Sequence, residues 1–250
     1  MGGQNSLSVT LVAVHAVLAL PAIYILVRHG KSHFLGWLYL LLVCVLQVTG
    51  NALFLSDQHS SGAAIITNIC LSPLLLAILG ILHELRAPYG DQPRRRFDTV
   101  FTTFLHLHIA AAIGLVAAGA SDLASRYPKE SSQTLVKVGI ILLLIAWVMI
   151  LLYALSRFMP FRGASQTNKV RTAASGQDQD SKVETYAVLL ALIITGVRLG
   201  YTLSTIFDSG SLDPASHSLA LEVVLGALPE MIAVIILLAV GFRLLSQRTR

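Results

Sequence analysis

Seven apolar runs, each close to the length that crosses a bilayer, constrain the fold of this chain more than any other feature. A transmembrane helix takes about 20 mostly apolar residues. Runs of this kind cover residues 7–27, 35–54, 62–82, 101–118, 134–155, 186–207 and 219–242. They predict an all-α, polytopic membrane bundle of seven transmembrane helices, which forms a single domain over residues 1–250.

Composition separates this chain from soluble proteins. Hydrophobic residues make up 55% of it and charged residues 12%, and the mean hydropathy is +0.72; a soluble domain has about 25% charged residues. The net charge of +5 comes from basic residues that lie almost wholly between the apolar runs, where they meet lipid headgroups. We therefore expect membrane lipids as partners and no nucleic acid.

The distribution of Lys and Arg predicts the orientation. The loops after the first, third and fifth runs, together with the C-terminal tail, hold 14 of the 18 basic residues, whereas the N-terminus and the other loops hold 2. Because basic loops stay in the cytosol, the C-terminus is predicted to be cytosolic and the N-terminus to lie outside or in the lumen. The long polar stretch 156–185 is predicted to be a flexible cytosolic loop.

Three charged residues lie inside the last two apolar runs. Arg198 is in the sixth run, and Glu222 and Glu230 are in the seventh. A charge at the bilayer centre costs roughly 2.5–3.5 kcal/mol on insertion scales, so such residues are retained when they pair, face a cavity or do chemistry. With the predicted orientation, Glu222 lies about one turn deep, and Glu230 lies about 16 Å deep, near the same level as Arg198.

Most of the other polar residues within the runs fall in the predicted outer half, whereas the inner half holds mainly His106 and Glu84. This distribution predicts a pocket for an apolar or amphipathic small molecule in the outer half of the bundle. The candidate substrate-binding residues are Arg198, Tyr201, Thr202, Gln47, Asn51, Asn68 and Lys137. A structural alternative stands beside this prediction: Arg198 and Glu230 form one buried ion pair that fixes the register of two helices.

Pro229 directly precedes Glu230 and removes a backbone donor, so we expect a discontinuity in the seventh helix at this point. Trp37 and Tyr39, near the start of the second run, suit an interfacial aromatic belt.

The sequence predicts neither a metal site nor a cofactor. His106 and His108 are two residues apart, which places them about 200° apart on a helix, and no HExxH motif occurs in the chain. Cys44 and Cys70 both lie within apolar runs and are expected to be small buried hydrophobes.

Four stretches carry a resemblance to a known family. They are RHGKSHFLGW, NICLSPLLLAILGIL, VRLGYTLSTIFD and EVVLGALPEMIAVIILLAVGF. With them, the whole chain resembles a fungal family of seven-helix integral membrane proteins that is catalogued as a domain of unknown function. The resemblance implies a fungal, multi-pass protein and carries no reaction and no catalytic residues.

In length and helix number the chain is also similar to the fungal membrane-bound terpene cyclases. That similarity implies catalytic roles for Glu222 and Glu230, one as proton donor and the other as base or charge stabiliser. The chain departs from that family in the second run, where Gln47 and Asn51 stand in place of an expected acidic residue after Trp. The rhodopsin-like proteins are set aside because the seventh run lacks a lysine, and receptor motifs such as DRY and NPxxY are missing from the sequence.

Two functions therefore fit the sequence. One is a membrane-embedded cyclase or isomerase of fungal specialised metabolism that uses acid–base carboxylates. The other is a non-enzymatic seven-helix receptor or lipid exporter-like protein. The expected location is the endoplasmic reticulum or the plasma membrane, and the sequence leaves the oligomeric state undetermined.

Overall fold

A computed structural model describes residues 2–30, 34–56, 66–67, 69–86, 92–123, 130–156, 174–208 and 219–248. Nearly all of these residues are helical, and none of them forms a strand. The main helices are α1 (Gly2–His29), α2 (Phe34–Ser56), α3 (Leu71–Arg86), α4 (Gln92–Leu123), α5 (Glu130–Leu155) and α6 (Ala174–Asp208). The last span consists of α7 (Leu219–Leu221), a π-helical segment (Glu222–Ala227) and α8 (Leu228–Arg248).

The predicted fold class is confirmed: the protein is an all-helical integral membrane bundle. Six of the described helices are long and apolar enough to cross a membrane, and α3 is a shorter apolar helix. With 16 residues, α3 is about 24 Å long, which is less than the roughly 30 Å of a hydrocarbon core. Its residues from Leu71 to Leu79 are all buried. The short helix is therefore enclosed by its neighbours.

The packing of the helices explains this enclosure. Helix α3 contacts α2, α4, α5 and α6. The other main contacts join α1 to α2 and to α8, α4 to α5, α5 to α6 and α6 to α8. The charged residues on α6 and α8 therefore face each other across a shared interface.

Glycines allow α2 and α3 to approach each other closely. A Cβ atom added to Gly80 would lie 2.6 Å from the Cα of Gly36, so the two backbones are in direct contact. Small residues serve this purpose in membranes, where association depends on packing because lipid is as apolar as the helix surfaces. The contact brings the first turns of α2 against the last turns of α3.

Helix α6 begins earlier than the sequence predicted. It starts at Ala174, inside the stretch 156–185 that was predicted to be a flexible loop, and residues 157–173 lie outside the described part of the chain. Glu184 and Thr185 are buried, and the Gln247 side chain donates a 2.8 Å hydrogen bond to Glu184 Oε1. The end of the predicted loop is thus a packed part of the helix, because these polar residues have partners in the bundle.

Candidate functional site

The centre of the candidate site is an ion pair between α6 and α8. Arg198 Nε lies 2.8 Å from Glu230 Oε2, and the two side chains are 11% and 1% exposed. The predicted depths of the two residues placed them at similar levels, and the structure brings them into contact. Removing two charges from water is costly, and their mutual attraction repays that cost only with good geometry and further hydrogen bonds.

Two residues of α2 supply those further hydrogen bonds. Gln47 Nε2 donates to Glu230 Oε1 over 2.5 Å. Asn51 Nδ2 donates to Gln47 Oε1 over 3.0 Å and to the Gln47 carbonyl over 2.8 Å. Both oxygens of Glu230 therefore have partners from different helices. We call Gln47, Asn51, Arg198 and Glu230 the Arg198 network.

The rest of the Arg198 guanidinium reaches two other parts of the fold. One terminal nitrogen, Nη2, donates to the carbonyl of Thr67 over 3.3 Å. The other, Nη1, lies 3.5 Å from the position that a Cβ atom on Gly226 would occupy. The guanidinium thus lies beside the π-helical segment.

The π-helical segment contains Glu222 and directly precedes Pro229. The N–H of Leu228 donates to the Val223 carbonyl, which is one residue further back than in an α-helix. Pro229 has no N–H, so it cannot donate a hydrogen bond to the carbonyl four residues before it, as in an α-helix, or to the carbonyl five residues before it, as in a π-helix. The discontinuity expected at Pro229 is therefore present as a π-helical stretch, and such stretches are frequent at functional sites.

Glu222 and Tyr201 lie next to the Arg198 network. Glu222 is half-buried at the first position of the π-helical segment. The Tyr201 ring lies 3.5 Å from the position of a Cβ atom on Gly226, and its phenol is within electrostatic range of Glu222 and Arg198. The half-buried carboxylate, the phenol and the ion pair thus lie in one region of the bundle.

Other residues named from the sequence contribute less to the site. Thr202 is buried, but its hydroxyl donates to the Arg198 carbonyl of its own helix over 3.1 Å. The Lys137 ammonium lies 5.5 Å from the centroid of the Phe207 ring, which is about 13 Å along α6 from Arg198. Asn68 lies outside the described residues.

A second polar cluster was missed by the sequence analysis. His29, Trp37 and Glu84 are 3%, 0% and 6% exposed. Trp37 Nε1 donates to Glu84 Oε2 over 3.1 Å, and His29 Nε2 lies 3.4 Å from Glu84 Oε1. The assignment of Trp37 to an interfacial belt is therefore wrong, because its indole is enclosed by protein and bonded to a carboxylate.

The prediction that the polar residues gather in the outer half of the bundle is also incomplete. His29, Glu84 and Glu184 are all buried at the end of the bundle that is predicted to face the cytosol. One signal in the sequence could have indicated this cluster. Glu84 lies at the end of the third apolar run, and His29 and Trp37 lie near the ends of the first and second runs.

The described residues include no group of three or more His, Cys, Asp or Glu side chains that could hold a metal ion. Cys44 and Cys70 are both free and buried.

The chain was compared with protein families, curated proteins and solved structures. A family model described as "Domain of unknown function (DUF7702)" matches residues 1–248. The curated proteins give no match. The solved structures give none either.

Proposed function

We propose that this chain, which belongs to the DUF7702 family, is a multi-pass membrane protein that binds an amphipathic small molecule at the Arg198 network. In this proposal a polar or anionic head of the ligand meets the guanidinium, and an apolar tail lies between the helices. The N-terminus faces outside or the lumen, in the endoplasmic reticulum or plasma membrane of a fungal cell. The protein acts without chemistry, as a receptor or a lipid exporter does.

One observation carries this proposal: the Arg198 guanidinium is held in place, and its polar contacts with the described residues engage two of its three nitrogens. Its Nε pairs with Glu230, and its Nη2 donates to the Thr67 carbonyl. Nη1 lies beside Gly226 of the π-helical segment. Arginine presents five N–H donors in a planar fork, which suits a carboxylate or phosphate. A fork that is pre-positioned in this way supports recognition of an anionic head.

The contacts of the Glu230 carboxylate favour a role in ligand binding over a role in acid catalysis. One oxygen accepts from Gln47 and the other pairs with Arg198. A proton donor at this position would first have to break the ion pair. An incoming anion, in contrast, can use the Nη1 side of Arg198 while Glu230 keeps its partners. We therefore propose that Glu230 positions Arg198 for the ligand.

Thermal unfolding of the purified full chain in detergent tests the proposal, with oleate and oleyl alcohol as probes. These molecules share a tail and differ in the head. We expect oleate to raise the Tm by about 5 °C or more at saturation, because a ligand that binds only the folded state stabilises it. Oleyl alcohol should give a much smaller rise.

The matched control replaces both members of the pair, Arg198→Met with Glu230→Met, because exchanging a buried ion pair for apolar residues often preserves the fold. The difference between the two probes should disappear in this variant. Equal effects of oleate on the wild type and the double variant would refute recognition by Arg198.

A second candidate function rests on the position of Glu222. We propose as the alternative a cyclase or isomerase of fungal specialised metabolism in which Glu222 and Glu230 act as acid–base carboxylates. The observation that favours it is the half-buried Glu222 within electrostatic range of the Tyr201 phenol. Such a pair suits proton transfer to an apolar substrate.

Metabolite profiles distinguish the alternative from binding without chemistry. Lipid extracts are compared between strains that produce the wild type or Glu222→Gln at equal levels of folded protein. Loss of a product only in the Glu222→Gln strain supports the enzyme. Identical extracts, together with an unchanged response to oleate, support the binder.

A further inference from the structure

The cluster of His29, Trp37 and Glu84 joins three helices at the end of the bundle that is predicted to face the cytosol. His29 is the last residue of α1, Trp37 lies in the first turn of α2 and Glu84 lies in the last turn of α3. The close approach of Gly36 and Gly80 brings α2 and α3 together here. The cluster is separate from the Arg198 network, which involves Gln47 further along α2.

Glu84 is the shared member of this cluster. One of its oxygens accepts the Trp37 indole N–H over 3.1 Å, and the other lies 3.4 Å from His29 Nε2. The imidazole and indole ring centroids are 4.7 Å apart, with the planes tilted by 42°. A single histidine is therefore packed between a carboxylate and an aromatic ring, with almost no exposed surface.

Three features of this site interact more strongly with a protonated imidazole than with a neutral one. The Glu84 carboxylate attracts the positive charge, and the Trp37 ring offers a cation–π contact. His29 is also at the C-terminus of α1, where the partial negative charge of the helix dipole lies. Burial acts in the opposite direction.

We propose that His29, Glu84 and Trp37 form a proton-binding site, in which a proton taken up from the solution on that side is held on the imidazole. The bound proton completes an ion pair between the end of α1 and the end of α3. Histidine is the side chain whose charge ordinarily changes between pH 5 and 8. Loss of the proton removes the ion pair and leaves the Trp37–Glu84 hydrogen bond.

Other titratable groups at this end of the bundle belong to the surrounding helices, and their charges also act on the imidazole. Among the described side chains they are Arg28 on α1, His83 on α3, Arg96 and Asp98 on α4, Lys182 and Glu184 on α6, and Arg243 on α8. Of these, His83 is the other histidine, and His83→Gln is therefore a necessary control.

The chain has only two tryptophans, which gives the proposal a direct measurement. The full-length protein is labelled with 5-fluorotryptophan and its 19F NMR spectrum is followed from pH 5 to pH 8. The Trp37 signal is assigned by its loss in Trp37→Phe. We expect it to move in one sigmoidal step as the neighbouring imidazole loses its charge.

The second tryptophan is an internal control. Trp147 Nε1 donates to the Leu192 carbonyl over 2.8 Å, and its signal should stay constant across this range. It also reports whether each variant is folded. We expect the Trp37 step to vanish in His29→Gln and to persist in His83→Gln.

Glu84→Gln keeps an acceptor for the Trp37 indole and removes the negative charge. In this variant the step should move to lower pH, because the proton on His29 loses its ion-pair partner. It also tests the proposal by itself if His29→Gln does not fold. A Trp37 signal that does not move with pH in the wild type, a step that survives in His29→Gln, or an unchanged midpoint in Glu84→Gln would overturn the proposal.

Discussion

Trp37 and Gln47, about 15 Å apart along α2, each donate a hydrogen bond to a buried carboxylate of another helix. Trp37 donates to Glu84 of α3, and Gln47 donates to Glu230 of α8. Helix α2 itself carries no charged residue. It therefore supplies hydrogen-bond donors to the acidic residues of its neighbours.

Gln47→Leu removes the donor to one oxygen of Glu230 and should destabilise the protein by about 1–3 kcal/mol, the usual cost of leaving a buried polar group unsatisfied. The measurement is the Tm in a fixed detergent. Thr49→Val is the matched control on the same helix, because the exposed Thr49 donates its hydrogen bond to the Val45 carbonyl of its own helix. Equal Tm values for the two variants would argue against a stabilising role for the Gln47–Glu230 bond.

Breaking the ion pair from either side should cost more than removing it completely. Arg198→Met or Glu230→Met alone leaves a buried charge without its partner, which typically costs about 3–5 kcal/mol. The double variant should recover most of that loss. A double-mutant cycle on Tm and on the yield of folded protein measures the coupling, and simple additivity of the single losses would show that the two charges are independent.

Gly80→Ala should destabilise the crossing of α2 and α3 by about 1–3 kcal/mol, because the new methyl group meets the backbone of Gly36. Gly114→Ala on α4 is the control. A Cβ atom there meets nothing within 4 Å, so alanine should be neutral or slightly stabilising through its higher helix propensity. If both variants unfold at the wild-type temperature, then the close contact of the two backbones does not limit stability.

The charge asymmetry predicts the sidedness of the bundle. A glycosylation acceptor inserted into the stretch 157–173 should remain unmodified, and one inserted into 209–218 should be modified, because basic loops stay in the cytosol. Gel mobility before and after deglycosylation reads out both insertions. The opposite pattern would contradict both the predicted orientation and a pocket in the outer half of the bundle.

Part of the candidate site was accessible from the local pattern of the sequence. Gln47 and Asn51 are four residues apart, a spacing that puts two residues on one helix face, and the structure shows them bonded to each other. Pro229 lacks a backbone donor wherever it occurs, so a discontinuity in the last span followed from its chemistry. The all-helical class followed from hydropathy, since backbone polar groups in lipid must be satisfied within each helix.

The tertiary structure alone decided which of these polar residues meet. The surfaces of seven apolar helices resemble one another and resemble lipid, so hydropathy does not select neighbours. The shapes of the helix surfaces determine which helices pack together. Gly36 and Gly80 allow α2 and α3 to touch, and this contact places Trp37 against Glu84 and not in the lipid interface. In the same way, the packing of α6 against α8 decided that Arg198 meets Glu230, because charges in a dry interior must find partners wherever the packing has brought the helices together.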